Sequence, residues 1–197
     1  EQIPGQSLWE VHMRLKKQML ETVRNRLERQ LERNGEYAAS RSVRSMFDPN
    51  ALTIGFSRRF APYKRATLLL RDPERFQRLV TDAERPVQFI FAGKAHPANE
   101  EGKALIRAIY EMSRRHGVEN RLVFSENYDM ALSRLLVAGC DCWLNTPRRP
   151  HEASGTSGMK AAMNGCLNIS IEDGWWAEAA DSGYGWTVGE TRDYSSP

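Results

Sequence analysis

From residue 52 onward the chain alternates two textures. Short runs that are apolar throughout (52–56, 87–92, 121–124, 141–145 and 167–171) are separated by stretches with helical spacing. A strand with one wet face alternates apolar and polar residues, whereas a strand apolar along its whole length is covered on both faces. With helices between the strands, that cover implies a parallel sheet and an α/β fold of the doubly wound, Rossmann-like kind. The spacing predicts helices over 64–71, 73–80, 99–116, 130–138 and 155–164. Asp72 and Pro73 supply an N-cap and a first-turn proline for the second of these. Gly117 and Gly165 stand as stops. Ligands of such sheets sit beyond the carboxyl ends of the strands. The loops after Phe56, Ala92, Phe124 and Asn145 are therefore where chemistry is expected.

Ahead of this unit, residues 8–33 carry Leu20, Val23, Leu27 and Leu31 at helical spacing, and Asn34-Gly35 is a stop. Residues 36–50 are mixed and end in the turn signal Asp48-Pro49-Asn50. The expected division is a lead-in helix and linker over 1–50 and one Rossmann-like domain over 51–197. There are 28 basic and 25 acidic side chains, a formal net charge of +3. So small an excess gives no footprint for nucleic acid. No apolar stretch is long enough to span a membrane. The three cysteines, Cys140, Cys142 and Cys166, build no disulfide framework, which suits a reducing cytoplasm. Cys140 and Cys142 would share a face on a strand, but no second pair has zinc spacing, so they read as core. The chain opens on Glu1 within a helical lead-in and closes on Ser195-Ser196-Pro197, so a piece of a longer protein is expected.

Two loops concentrate reactive side chains. Residues 57–65 read SRRFAPYKR and residues 152–160 read EASGTSGMK. In the second, glycines allow close backbone approach immediately before a helix, whose first N–H groups and positive dipole end suit a phosphate. The spacing is not that of a P-loop, and His151-Glu152 lacks the second histidine of a helical zinc motif. Lys160 lies just inside the helix. Alone it reads as a surface lysine. Its neighbours Met159, Ala161, Ala162 and Met163 suggest partial desolvation, which favours the neutral amine that attacks a carbonyl. Arg58, Arg59 and Lys64 form either a solvated run of charge or a cradle for one or two anions, Arg as a fork and Lys as a point charge.

At these residues the chain resembles the α-glucan phosphorylases. EASGTSGMK resembles their pyridoxal-phosphate lysine motif and SRRFAPYKR their phosphate-site loop. FAGKAHP (91–97), FSENY (124–128) and Asn164-Gly165 follow in matching order, so the resemblance covers about residues 8–190. It implies a GT-B enzyme of two Rossmann-like domains, of which this chain is the C-terminal one. The implied reaction is reversible phosphorolysis of α-1,4-glucan by orthophosphate to glucose 1-phosphate. By the same likeness Lys160 carries pyridoxal 5'-phosphate. Gly155, Thr156, Ser157, Arg58 and Lys64 hold the cofactor phosphate, and Tyr128 lines its pocket. Arg59 and Lys64 bind substrate phosphate, and Glu152, Ser154 and Gly155 contact the glucosyl unit. Lys160, Arg59 and Lys64 are then the catalytic set, no metal is involved, and the partner is the N-terminal domain of the same enzyme. A homo-oligomeric parent is compatible with this.

Relative to the animal enzymes, Arg58 replaces a lysine, Ala61-Pro62 a His-Glu pair, Ser157-Gly158 a Gly-Asn pair and Asp129 an arginine. These departures suggest the shorter prokaryotic branch. Two other readings stay open. One is a retaining nucleotide-sugar transferase of the glycogen or starch synthase kind. Such enzymes often carry a second glutamate eight positions after the first, whereas here Lys160 follows Glu152, and an ammonium cannot accept ribose hydroxyls. The other is a non-catalytic carbohydrate-binding domain. Alone, this chain is expected to be inactive.

Overall fold

The structure is a computed structural model and describes residues 3–115, 117–190 and 192–193. Its strands are β1 (Leu52–Arg59), β2 (Val87–Lys94), β3 (Leu122–Ser125), β4 (Cys142–Asn145), β5 (Leu167–Ser170) and β6 (Gly185–Thr187). They pair, all parallel, in the order β3-β2-β1-β4-β5-β6. Around the sheet lie α1 (Gly5–Arg33), α2 (Tyr37–Ser42), α3 (Pro73–Thr81), α4 (Glu100–Ser113), α5 (Met130–Gly139), α6 (Thr156–Met163) and α7 (Trp176–Ala179). The expected Rossmann-like α/β architecture is the observed one.

The strands explain the two layers of cover. Along β2, Ile90 and Ala92 face one core cluster, while Phe89 and Phe91 face the other. On β4, Trp143 faces the first and Cys142 and Leu144 the second. Because both sets are apolar, both faces need helices. The first face takes α1 and α5, through Met19, Leu20, Val23, Leu27, Leu132 and Leu136. The second takes α3 and α4, through Phe76, Val80, Ile109 and Met112. Each such side chain contributes about 1.5–3 kcal/mol on burial. A polar contact also fixes α1. The buried Lys16 ammonium donates to Ala51 O at 2.8 Å and to Asp141 Oδ2 at 2.6 Å. His12 meets Asp141 Oδ1 at 2.7 Å, and Thr53 N–H donates to Oδ2 at 2.7 Å.

Several expected boundaries shift. Residues 64–71 are not one helix but two 3-10 turns, Pro62–Lys64 and Leu68–Leu70. Arg65 breaks them apart with a left-handed φ of 46°, and its guanidinium donates to Thr146 O at 3.1 Å and Pro147 O at 2.8 Å. Those bonds tie the loop after β1 to the loop after β4. β1 itself continues through Ser57 and Arg58 to Arg59, paired with Ala92, Gly93 and Lys94 of β2. α4 stops at Ser113, and the helix end expected at His116 lies outside the described residues. The closing Ser195-Ser196-Pro197 does too. α2 and β6 were not expected. Cys140 caps α5 and packs with Cys166 on the α1 side, whereas Cys142 faces α3 and α4, so Cys140 and Cys142 do not share a face. All three thiols are free and buried, and burial pushes Cys142 up to about 11. Among the described residues no cluster of His, Cys, Asp or Glu could hold a metal, and no helix is long and apolar enough to cross a membrane.

From β1 the chain builds outward to β2 and β3, then returns to place β4 on the other side of β1. That reversal puts the topological switch point between β1 and β4, where sheets of this kind open a crevice.

Candidate active site

A cleft of about 430 Å³ lies at the carboxyl ends of β1 and β4. Arg58, Arg59, Lys64, Tyr128, Glu152, Ser154, Gly155, Thr156, Ser157 and Lys160 all line it. The end of β1, the loops after β1 and β4 and the start of α6 thus supply most of the expected site, and the loop after β3 adds Tyr128. Lys94 at the end of β2 and His96 in the loop after it do not line the cleft.

A buried charge cluster forms its floor. The Arg58 guanidinium donates from Nη1 to Glu152 Oε2 at 3.0 Å and from Nη2 to Ser157 Oγ at 3.0 Å. The Lys64 ammonium donates to Glu152 Oε1 at 2.6 Å and also meets Oε2. The three side chains are only 6–10% exposed. Burial disfavours the charge on Arg58 and lowers its pKa from the ordinary arginine value, although Glu152 pulls the other way. Two cations against one carboxylate leave one positive charge at the floor, and the exposed Arg59 adds another at the rim. Ser57 Oγ and Arg58 Nε are buried there without hydrogen-bond partners. Buried polar atoms are rarely left unpaired, so this floor is chemically suited to an anion or polar ligand.

Above the floor, Gly155 sits at the N-cap of α6 with φ +81° and no side-chain cap. The first N–H groups of that helix lack intrahelical acceptors, as at any helix start. Ser157 Oγ accepts from Arg58 and, at 3.3 Å, from Trp143 Nε1. A hydroxyl has two lone pairs and one hydrogen. With both lone pairs engaged, the Ser157 hydrogen is left to donate to a third group. The anionic group that the resemblance implies, pyridoxal phosphate, would fit this set of donors: Arg58, Lys64, Ser157 and the α6 start line one cleft with Lys160.

One expectation changes. Lys160 is exposed, so the desolvation inferred from its neighbours is absent. On α6 it is Gly158 and Ala161 that face inward, while Met159 and Met163 are 39% and 85% exposed. The Glu152 carboxylate, on the lining of the same cleft, is held by Arg58 and Lys64.

Residues 10–183 match the family model described as carbohydrate phosphorylase. The chain belongs to the carbohydrate phosphorylase family. It is 49% identical over 190 residues to the maltodextrin phosphorylase of Thermococcus litoralis, covering 96% of this chain and 22% of that protein. It is 50% identical over 188 residues to the glycogen phosphorylase of Mycobacterium tuberculosis, covering 95% and 22%. The glycogen phosphorylase of Aquifex aeolicus is 44% identical over 189 residues, covering 95% and 27%. The chain thus spans about a fifth to a quarter of the length of these relatives.

Within this phosphorylase-family chain, Asp129 has a structural use away from the cleft lining. It caps α5 by accepting from Leu132 N–H at 2.8 Å and pairs with Arg26 at 2.7 Å. Ser133 and Val137 of α5 line the cleft without being expected there, and Trp143 on the lining and Asp173 behind it also escaped sequence reasoning. Trp143 lies under the cleft because β4 pairs it with Gly55 of β1, where a Cβ would stand 2.9 Å from the indole. Asp173, in the loop after β5, accepts from the Glu152 N–H at 2.9 Å. The rule of looking beyond the carboxyl end of each strand points to that fifth loop as well.

Proposed function

We propose that this chain is the cofactor- and phosphate-binding part of an α-glucan phosphorylase, a glycosyltransferase that cleaves α-1,4-glucan with orthophosphate to release glucose 1-phosphate. The observation that carries the reading is the convergence of the Arg58–Glu152–Lys64 cluster, the α6 start and Lys160 on one switch-point cleft. In this reading Lys160 holds pyridoxal 5'-phosphate. Arg58, Gly155, Thr156, Ser157 and Lys64 hold its phosphate, and Tyr128 lines the pocket. When bound, the cofactor supplies a phosphate group able to exchange a proton beside the substrate phosphate. Arg59 and Lys64 bind and orient orthophosphate, and their charge holds its attacking oxygen at the glucosyl carbon as the glucan hydroxyl leaves. Glu152, Ser154 and Gly155 position the glucosyl unit, with Glu152 also keeping the two cations apart and aimed. The opposite wall of the cleft belongs to the N-terminal domain of a GT-B enzyme. The family match and Lys160 in place of an acceptor favour this over a nucleotide-sugar transferase.

The test is to give the full-length protein maltodextrin and orthophosphate and measure glucose 1-phosphate. Phosphate-dependent release is expected. Glucosyl transfer from a nucleotide sugar without phosphorolysis would support the transferase instead. The 197-residue chain alone is expected to release none, because one wall leaves its cations facing water, where their field is weak.

A further inference from the structure

We propose that Asp173 is a positioning residue for this site, acting through the backbone of Glu152. The inference rests on the function proposed above. Asp173 lies in the loop between β5 and α7 and is 7% exposed. Its Oδ2 accepts the Glu152 N–H at 2.9 Å and its Oδ1 accepts the Gly174 N–H at 3.0 Å. One turn on, Trp175 N–H donates to Ser154 O at 2.8 Å. Between these bonds the two backbones are pressed together. Gly174 has φ +57°, and a Cβ there would stand 2.6 Å from Ser154 O and 3.1 Å from Glu152 Cγ. Residues 152–154 are therefore clamped from behind by residues 173–175.

What the clamp fixes is the origin of the Glu152 side chain, whose carboxylate in turn sets Arg58 and Lys64. An ionised carboxylate suits the task because it accepts two N–H groups at once, one per oxygen, and donates none. Asparagine keeps one acceptor and must present an NH2 to the other N–H. Among the described residues Asp173 makes no ion pair with Arg58 or Lys64, so its removal alters where the cations are held and not how many there are. A residue serving only fold stability would lower the melting temperature and leave anion affinity alone.

The experiment uses the full-length protein with its cofactor bound, as wild type, Asp173→Ala, Asp173→Asn and Gly174→Ala. It measures kcat, the KM for orthophosphate, and the rise in melting temperature on adding orthophosphate. Asp173→Ala is expected to raise that KM about ten-fold, as loss of a buried acceptor does, and to remove most of the phosphate-induced rise. Asp173→Asn recovers most of both. Gly174→Ala, which crowds Ser154 and Glu152 without removing any charge, raises the KM as well and decides the matter if Asp173→Ala fails to fold. Wild-type KM and a wild-type phosphate response in the variants, with only the melting temperature lowered, would overturn the inference. So would an Asn variant no better than Ala. A wild type with no phosphate-dependent glucan cleavage defeats the proposed function itself, which is a separate outcome.

Discussion

The Lys64 ammonium lies 2.6 Å from Oε1 of Glu152, with both side chains buried, although 88 residues separate them in sequence. The contact joins the loop after β1 to the loop after β4, the two strands at the switch point. An ion pair so placed differs from a surface pair. Removing one partner strands a buried charge, at a cost of about 3–5 kcal/mol.

Arg59 and Lys64 should therefore separate. Arg59 is exposed, so Arg59→Ala is expected to change stability by no more than about 0.5 kcal/mol. It should still weaken phosphate use by about one to two powers of ten, the value of a charge-assisted contact of roughly 1.5–3 kcal/mol. Lys64→Ala should lose both phosphate use and stability. Urea unfolding and kinetics against orthophosphate in the full-length protein check the pair. Unchanged phosphate kinetics in both variants would return these residues to ordinary surface and structural charge.

Asp141 gives a pH prediction. Burial works to raise its pKa, but hydrogen bonds from His12, Lys16 and Thr53 outweigh that and hold it below the ordinary value. A carboxyl depressed on folding stabilises the protein above its unfolded pKa of about 3.9, and the gain is lost as pH falls through the folded value. Stability should thus hold near neutrality and fall on acidification below about pH 4. Asp141→Asn should be less stable at pH 7 and show a shallower acid limb. Parallel acid limbs for the two proteins would contradict the assignment.

Gly55→Ala tests the support under the cleft. The added Cβ would stand 2.7 Å from Cys140 Sγ and 2.9 Å from the Trp143 ring. Overpacking of this kind costs about 1–3 kcal/mol. The variant should also shift Trp143 and slacken its 3.3 Å bond to Ser157, so a changed tryptophan emission spectrum is expected alongside the lower stability. An unaltered spectrum would mean the sheet absorbs the methyl group elsewhere.

The strands were legible because burial on both faces leaves a continuous apolar run, as in VQFIFA. β6 was not, since Gly185–Thr187 is a short edge strand with Trp186 56% exposed and carries no such run. Residues 64–71 misled because Leu68, Leu69 and Leu70 read as helical, whereas Pro62 and the left-handed Arg65 set the local course. Within the candidate site, Arg58 through Lys64 and Glu152 through Lys160 could be read because each is one continuous stretch at or just beyond the carboxyl end of one strand. Trp143 and Asp173 could not. Each acts across a strand-to-strand contact, between β1 and β4 for Trp143 and between the loops after β4 and β5 for Asp173. The engagement of Glu152 with two cations is likewise a tertiary fact, invisible in the spacing of 152–160.

Lys160, in the first turns of α6 and on the same cleft as Arg58 and Lys64, is the residue proposed to carry pyridoxal 5'-phosphate. The direct measurement is borohydride reduction of the full-length protein followed by peptide mass mapping. One pyridoxyl group is expected, on Lys160. An adduct on another lysine, or none at all, would contradict it.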